Sequence, residues 1–197
     1  MTVEAKLQPE KQPFWPDDRL VEECRKGNEQ AWSALIEKYK NLIYSVPIKL
    51  GLYDDAADIF QAVCLDLLSG LDQLRQPRAL PKWLIQTCYH KCLAYRRRSQ
   101  RYSPWPENAD QELPANPDAA PVPEQLLTQL AKEQMVRDAV QQLPPRCERM
   151  VHMLFFETPP RPYQQIAQAL DLATGSIGFI RGRCLDKLRK QLQKMGF

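Results

Sequence analysis

A proline-rich acidic spacer divides the chain into two parts. The spacer runs from Tyr102 to Pro123 and contains six of the seventeen prolines and four acidic residues, with no Lys or Arg. A segment of this composition cannot bury a hydrophobic core, so it predicts an extended linker. We therefore expect four regions: a flexible head over residues 1–16, a first domain over 17–101, the linker over 102–123 and a second domain over 124–197.

Hydrophobic periodicity indicates the same secondary structure on both sides of the linker. Apolar residues recur at intervals of three and four, which predicts α-helices, and alternating β-branched runs are missing. In the first domain we expect helices from Gln30 to Gly51, from Asp54 to Ser69 and from Pro81 to Arg101, with a kink at Pro47. Three or four more helices are expected after the linker. The predicted fold class is therefore all-α, with two small helical domains joined by a Pro-rich acidic linker.

Hydropathy excludes a membrane protein. No stretch approaches the roughly 20 consecutive apolar residues that a membrane-spanning helix needs. The first twenty residues contain no apolar run of signal-peptide length. We therefore expect a cytoplasmic protein without membrane insertion, whose six cysteines are reduced.

The formal net charge of +3 conceals blocks of opposite charge along the chain. Residues 73–101 carry eight Lys or Arg and no Asp or Glu, and residues 137–197 carry ten bases against five acids. Residues 102–136 between them carry one base against six acids. Two basic segments separated by an acidic one indicate contact with nucleic acid at two places.

The predicted helix after Pro81 has two distinct sides. At 100° per residue, one side is an apolar stripe formed by Leu84, Ile85, Cys88, Cys92 and Tyr95. The opposite side, called the Trp83 face below, collects Trp83, Gln86, Thr87, His90, Arg97, Arg98 and Arg101. An aromatic ring, amides and guanidinium groups on one surface suit stacking on unpaired bases and binding to phosphates. The simpler alternative is a solvated basic surface.

The predicted helix over 54–69 also has two sides. The buried side is expected to contain Ala56, Phe60, Val63, Cys64 and Leu67. The other side, called the Leu65 face below, contains Asp54, Asp58, Gln61 and Leu65. An exposed leucine among acidic and amide groups suits a protein partner, although spacing alone favours a solvated surface.

The C-terminal segment predicts a helix-turn-helix in the second domain. A short helix with Ile166, Ala167 and Leu170, a turn over 171–174 and a long basic helix from about Gly175 fit that motif. The inward side of the long helix is expected to hold Ile177, Cys184, Leu188 and Leu192. The outward side, called the Arg183 face below, holds Ser176, Phe179, Arg183, Lys187, Lys190 and Lys194. Gly178 and Gly182 are predicted to permit a close approach to DNA or to a neighbouring helix. The alternative is a basic helix that merely complements its own dipole.

The order of these segments resembles the extracytoplasmic-function group of bacterial RNA polymerase sigma factors. The resemblance covers about residues 17–197 and rests on five segments: Gly27–Tyr39, Asp54–Gln61, Trp83-Leu84 with Arg96–Arg98, Leu143–Arg146, and Tyr163–Arg189. It implies that the partners are core RNA polymerase and promoter DNA, with an anti-sigma factor as a further candidate partner. It implies no cofactor and no enzymatic activity of the chain itself.

The resemblance also assigns a role to each face. The Leu65 face would bind core polymerase, and the Trp83 face would melt and hold the minus-ten element, with a flipped base held by the loop from Leu71 to Pro81. On the Arg183 face, the residues implied to bind the minus-thirty-five element are Ser176, Phe179, Arg183, Lys187 and Lys190. The acidic linker would extend toward the active-site cleft and the RNA exit path of the polymerase.

Three features depart from the family pattern. Pro47 falls in a helix that is usually continuous, and residues 159–162 lengthen the connection before the helix-turn-helix. Gly178, Phe179 and Ile180 stand where many relatives have a basic and polar run. The preferred DNA sequence therefore does not carry over from the family.

Two other functions compete with this interpretation. A free-standing helix-turn-helix transcriptional regulator would bind a specific duplex tightly without polymerase. An enzyme or metal protein would use Cys88, His90 and Cys92, but both cysteines lie on the apolar stripe and His90 points away from it. The sequence contains no catalytic triad and no phosphate-binding glycine loop.

Overall fold

The computed structural model of the protein describes residues 14–102 and 120–197, and this part of the chain contains helices and no strand. The all-α prediction is therefore confirmed. The helices are α1 (Asp17–Arg25), α2 (Glu29–Lys49), α3 (Ala56–Gly70), α4 (Leu80–Tyr102), α5 (Glu124–Gln141), α6 (Pro145–Phe155), α7 (Tyr163–Leu170) and α8 (Ile177–Lys194). Short 3-10 turns lie at Leu71–Gln73, Pro77–Ala79 and Thr174–Ser176.

Helices α1 to α4 enclose the first hydrophobic cluster. Helix α2 contacts α1, α3 and α4, because its apolar residues at intervals of three and four face inward. Asn28 caps α2, since its side-chain oxygen accepts hydrogen bonds from the backbone N–H groups of Gln30 and Ala31 at 3.0 and 3.2 Å. The fully buried residues of α2 are Ala31, Leu35, Tyr39, Leu42, Ile43 and Val46.

Helix α2 continues through Pro47, the position at which the sequence predicts a kink. The helix continues to Lys49, and Gly51 follows with a φ of 78°. Proline has no N–H, so the carbonyl of Ile43 lacks its ordinary partner four residues later. The buried thiol of Cys88 on α4 donates to that carbonyl at 3.3 Å. A neighbouring helix thus supplies the hydrogen bond that Pro47 removes.

A second hydrophobic cluster lies among helices α5 to α8. It contains Val140, Leu143, Cys147, Met150, Val151, Met153, Ile166, Ala167, Leu170, Ile177 and Cys184. Cys147 on α6 and Cys184 on α8 form a disulfide, with their Cα atoms 5.2 Å apart. The prediction that all six cysteines are reduced is therefore wrong for this pair. Both residues are buried, as expected for Cys184, and their burial in one cluster brings the two sulfurs together.

Helix α5 contributes to both clusters. Leu130, in its first half, is fully buried in the first cluster, and Val140, near its end, belongs to the second. Between them, Asp138 lies 3.9 Å from Lys38 on α2, and Gln134 donates to the carbonyl of Lys38 at 3.2 Å. The helix therefore contacts α2 and α4 as well as α6 and α8.

Part of the predicted head and part of the predicted linker are packed. Trp15 packs against the first cluster, and the ring of Phe14 lies 4.9 Å from the Nζ atom of Lys38. Ala120 is buried, and Val122 packs against the first cluster. The remainder of the predicted head, residues 1–13, and the linker residues 103–119 lie outside the described part of the chain.

Candidate partner and nucleic-acid interfaces

The Leu65 face lies on α3, and every residue predicted for it is exposed. Asp54 precedes the helix, Asp58 lies in its first turn, and Gln61 follows on the same side. The side chain of Leu65 is 60% exposed. Leu68, one turn further, is 62% exposed and was missed. Leu68 lies three residues after Leu65, and residues three apart lie on the same side of a helix, so the spacing could have identified it.

The opposite side of α3 holds the helix in the first cluster. The buried residues are Ala56, Ile59, Val63 and Leu67. Phe60 and Cys64 were expected to be buried but are half-buried, and Ile59 was missed. The ring of Phe60 stacks on Tyr44 of α2 with centroids 4.5 Å apart. This packing fixes the rotation of α3 and so presents the two leucines outward.

The Trp83 face lies on α4 and is less exposed than predicted. Trp83, Gln86, Thr87, His90 and Arg97 are all half-buried. On the opposite side, Leu84, Ile85, Cys88 and Cys92 are buried as predicted, and Tyr95 is half-buried. The two sides of α4 therefore differ in burial, but the Trp83 face is not an open surface over its whole length.

Two contacts explain this partial burial. The indole of Trp83 packs on Gly70, where an added Cβ would approach the ring to 3.3 Å. The Nε2 atom of His90 donates to the carbonyl of Ala120 at 3.0 Å, so the segment entering α5 covers this residue. The sequence carried no signal for the second contact, because thirty residues separate the two partners.

The arginines at the end of α4 have different environments. Arg98 is exposed, Arg97 is half-buried, and Arg96 donates to the carbonyl of Leu50 at 2.8 Å. The side chain of Arg101 lies outside the described part of the structure. Arg98 therefore places an exposed positive charge near the end of α4.

The loop between α3 and α4 is held by a residue that the sequence analysis missed. Arg25, at the end of α1, donates to the carbonyl of Leu71 at 3.0 Å and to that of Leu74 at 2.6 Å. These bonds fix the loop that the resemblance assigns to a flipped base. A shallow apolar depression beside the loop is lined by Leu67, Gly70, Leu71, Leu74, Leu80 and Trp83.

The turn between α7 and α8 has a defined backbone conformation. Helix α7 ends at Leu170, and the next residue, Asp171, adopts the left-handed conformation with φ 53° and ψ 58°. The N–H of Leu172 then donates to the carbonyl of Ala167 at 2.8 Å, an arrangement typical of a helix end. A 3-10 turn over Thr174–Ser176 leads directly into α8.

Helix α8 buries one side and exposes the Arg183 face. Ile177 and Cys184 are buried, and Leu188 and Leu192 are half-buried. The exposed residues are Phe179, Arg183, Lys187, Lys190 and Lys194. Ser176 is half-buried, and its hydroxyl donates to the carbonyl of Ala173 at 2.7 Å. All the long side chains predicted to face outward on α8 do so.

The two glycines of α8 have open surroundings. A Cβ added at Gly178 or at Gly182 would meet no atom within 4 Å. Within the described residues, no neighbouring helix approaches these positions closely. The two glycines were predicted to permit a close approach either to a neighbouring helix or to DNA. Since no helix of the described residues comes close to them, the approach to DNA stays a prediction.

Three of the cysteines outside the disulfide, Cys24, Cys64 and Cys88, have raised pKa values. Burial raises the pKa of Cys24 to about 11 and raises that of Cys64. The neighbouring thiol of Cys92, together with burial, raises the pKa of Cys88. A nucleophilic cysteine needs a lowered pKa. Among the described residues, no group of three or more His, Cys, Asp or Glu is arranged to hold a metal ion.

None of the helices in the described ranges combines the length and the apolar character that a membrane crossing requires. No protein-family model and no curated protein matches this chain.

Proposed function

We propose that this protein is an RNA polymerase sigma factor of the extracytoplasmic-function type. In this proposal it binds core RNA polymerase, directs the enzyme to specific promoters and helps to melt the minus-ten region. The polymerase carries out RNA synthesis, and the chain supplies binding surfaces.

One observation carries the proposal: a single chain presents three separate surfaces of the required chemistry. Helix α3 exposes Leu65 and Leu68 beside Asp58 and Gln61. Helix α4 carries the aromatic and basic Trp83 face, and α8 carries the basic Arg183 face. A free-standing regulator requires one DNA-binding surface and has no need of the other two.

The Leu65 face is proposed to dock on core polymerase. Two exposed leucines supply apolar area at the centre of a contact, and the surrounding carboxylates and amide supply its polar rim. Because Ile59, Val63 and Leu67 anchor the opposite side of α3, the docking side chains are held on a rigid helix.

The Trp83 face is proposed to bind the melted minus-ten strand. Trp83 and His90 offer rings for stacking, and Arg97 and Arg98 offer guanidinium groups for phosphates. The bond from His90 to Ala120 means that the segment before α5 must move before His90 can contact DNA. Binding to polymerase is the step that we expect to provide this movement.

Helices α7 and α8 are proposed to form a helix-turn-helix that binds the duplex minus-thirty-five element. The left-handed residue Asp171 turns the chain between the two helices, and α8 carries exposed cations along the surface that would face the groove. Its lysines and arginines would neutralise phosphates, which makes binding salt-dependent.

Run-off transcription tests the proposal as a whole. Core polymerase from the source organism is supplied with genomic fragments of that organism, with and without the protein. We expect discrete new transcripts whose aligned start sites share two upstream elements. Specific retention of fragments by the protein alone, without new transcripts, would instead favour the free-standing regulator.

A triple substitution tests the polymerase contact. Asp58→Ala, Gln61→Ala and Leu65→Ala together should weaken co-elution with core polymerase while the helical circular-dichroism signal is unchanged, because all three side chains are exposed. The control is Glu29→Ala with Gln30→Ala, which removes an exposed acid and an exposed amide from α2. Undiminished co-elution of the triple variant would refute the assignment of this face.

A double substitution tests the duplex contact. Arg183→Ala with Lys187→Ala should weaken binding of the upstream element and lower the salt slope of log K by about two, since each lost phosphate contact contributes close to one. The control Lys132→Ala with Arg149→Ala removes two exposed cations elsewhere. An unaltered salt slope in the first variant would show that Arg183 and Lys187 do not contact DNA phosphates.

A further inference from the structure

The Arg183 face contains one large apolar side chain among cations. The side chain of Phe179 is 70% exposed, the largest exposed fraction among the exposed large hydrophobic residues of the described chain. It is the third residue of α8, and Arg183, Lys187 and Lys190 follow along the exposed surface. An exposed phenylalanine on a strongly cationic helix indicates a ligand that is anionic overall and offers an apolar contact.

The surroundings of Phe179 leave its ring accessible. Gly175, Gly178 and Gly182 all lie nearby in the sequence, and a Cβ added at any of them would meet no atom within 4 Å. These three positions therefore carry no side chain that would keep a ligand at a distance. A ligand can approach the helix surface closely on either side of the ring.

Arg183 limits the orientation of this ring. Its guanidinium carbon lies 5.6 Å from the ring centroid, one helical turn after Phe179. Arg181 is engaged elsewhere, because its Nη1 donates to the hydroxyl of Tyr163 at 2.9 Å and so links α8 to α7. Phe179 and Arg183 thus form an apolar and cationic pair at the start of α8, where a recognition helix contacts base edges.

The chemistry of the major groove identifies the apolar partner. Among the base edges displayed there, the apolar group is the C5 methyl of thymine, and a phenylalanine ring is one of the side chains that contact it. We propose that Phe179 is a specificity-determining residue that contacts a thymine methyl in the duplex element bound by α7 and α8. This inference rests on the proposed function, since it requires that these helices bind duplex DNA.

Replacement of thymine by deoxyuridine tests the contact, because it removes the methyl and keeps Watson–Crick pairing. The full chain, assembled with core polymerase, first selects duplexes from a pool of randomised sequence. Each thymine of the selected upstream element is then replaced in turn by deoxyuridine, and the affinity of each duplex is measured. We expect one thymine whose replacement weakens binding about fourfold, the effect of leaving one methyl group unburied.

The variants assign this effect to Phe179. In Phe179→Ala the deoxyuridine and thymine duplexes should bind equally, and in Phe179→Leu the difference should return in part. Lys187→Ala should weaken all duplexes while keeping the fourfold difference. Phe179 is exposed, so its substitution leaves the packed core intact.

Two results would overturn the inference while the proposed function stands. One is equal affinity of the unsubstituted protein for thymine and deoxyuridine duplexes at every position. The other is a deoxyuridine effect that persists in Phe179→Ala. Failure to select any duplex sequence in the presence of core polymerase would overturn the proposed function of α7 and α8, and this assignment with it.

Discussion

The thiol of Cys88 donates a hydrogen bond to the carbonyl of Ile43 at 3.3 Å, across the contact between α4 and α2. Ile43 precedes Pro47 by four residues, so its carbonyl is the one that proline leaves without a helical N–H donor. Both groups are buried, where an unpaired carbonyl is costly. Cys88, which the sequence analysis considers as a metal ligand together with Cys92, therefore satisfies the backbone carbonyl that Pro47 leaves unpaired in α2.

A double-mutant cycle tests this relationship. Cys88→Ala should lower the free energy of unfolding by about 1–3 kcal/mol, since the Ile43 carbonyl loses its partner. In a Pro47→Ala background the backbone N–H at position 47 can donate to the carbonyl of Ile43. Cys88→Ala should therefore lower the free energy of unfolding by less in that background. Urea unfolding of the four proteins measures the coupling. An equal cost of Cys88→Ala in both backgrounds would contradict the assignment.

Periodicity predicts α2, α3 and α4 and most of the exposed positions on α3 and α8, but it misses α1, which lies before the first predicted helix. The 3.6-residue repeat correctly orients Leu65 on α3 and Arg183 on α8, because each of these helices buries one side against a single cluster. The same reasoning predicts Cys88 and Cys92 as buried residues. Local spacing decides these positions, and local spacing is visible in the sequence.

The remaining features depend on contacts between distant parts of the chain. His90 is predicted to be exposed, but it donates to the carbonyl of Ala120 because the segment before α5 lies against α4. Cys147 and Cys184 are predicted to be reduced, but the packing of α6 on α8 joins them. Arg25 holds carbonyls more than forty residues away. Such pairings are set by how helices pack, which a hydrophobic repeat does not specify.

The buried charges between α2 and α5 should make stability depend on pH. Lys38 lies 2.7 Å from Asp17 and 3.9 Å from Asp138. Burial raises the pKa of Asp138, and this outweighs the opposing effects of Lys38, of the bond from Gln134 and of Arg137. In the folded state this carboxyl therefore holds its proton to a higher pH than in the unfolded chain.

We expect Asp138 to destabilise the fold as the pH rises. Between its unfolded pKa, near 3.9, and its higher folded pKa, the folded state binds more protons, so its contribution to stability falls with rising pH. Asp138→Asn removes this dependence, and the stability of the variant relative to the unsubstituted protein should increase across that range. Urea unfolding at a series of pH values measures the difference, with Glu29→Gln as the control for loss of an exposed carboxylate. A difference that stays constant or decreases with pH would contradict the prediction.

Leu130 should stabilise the first hydrophobic cluster from helix α5. It is fully buried in the first cluster, while Val140 of the same helix is buried in the second. Leu130→Ala should lower the free energy of unfolding by about 2–5 kcal/mol, because it removes buried apolar surface and leaves a cavity. Hydrogen exchange should then accelerate in the first half of α5 and in the adjoining parts of α2 and α4, while α6 and α8 stay protected. Unchanged exchange in α2 and α4 would mean that α5 does not stabilise the first cluster.

The disulfide between Cys147 and Cys184 should stabilise the packing of α6 on α8, the helix that carries the Arg183 face. It closes a loop across 37 residues of sequence separation, and the loss of such a crosslink lowers the free energy of unfolding by about 3–4 kcal/mol in the chain-entropy treatment. Thiol titration of the unfolded, unreduced protein should find the four cysteines that are free in the structure, and reduction should release two more. Reductant should lower the unfolding midpoint of the unsubstituted protein and of Cys64→Ser, but not that of the double variant Cys147→Ser with Cys184→Ser. Six reactive thiols before reduction, or a midpoint that reductant leaves unchanged in every variant, would show that the crosslink does not form in solution.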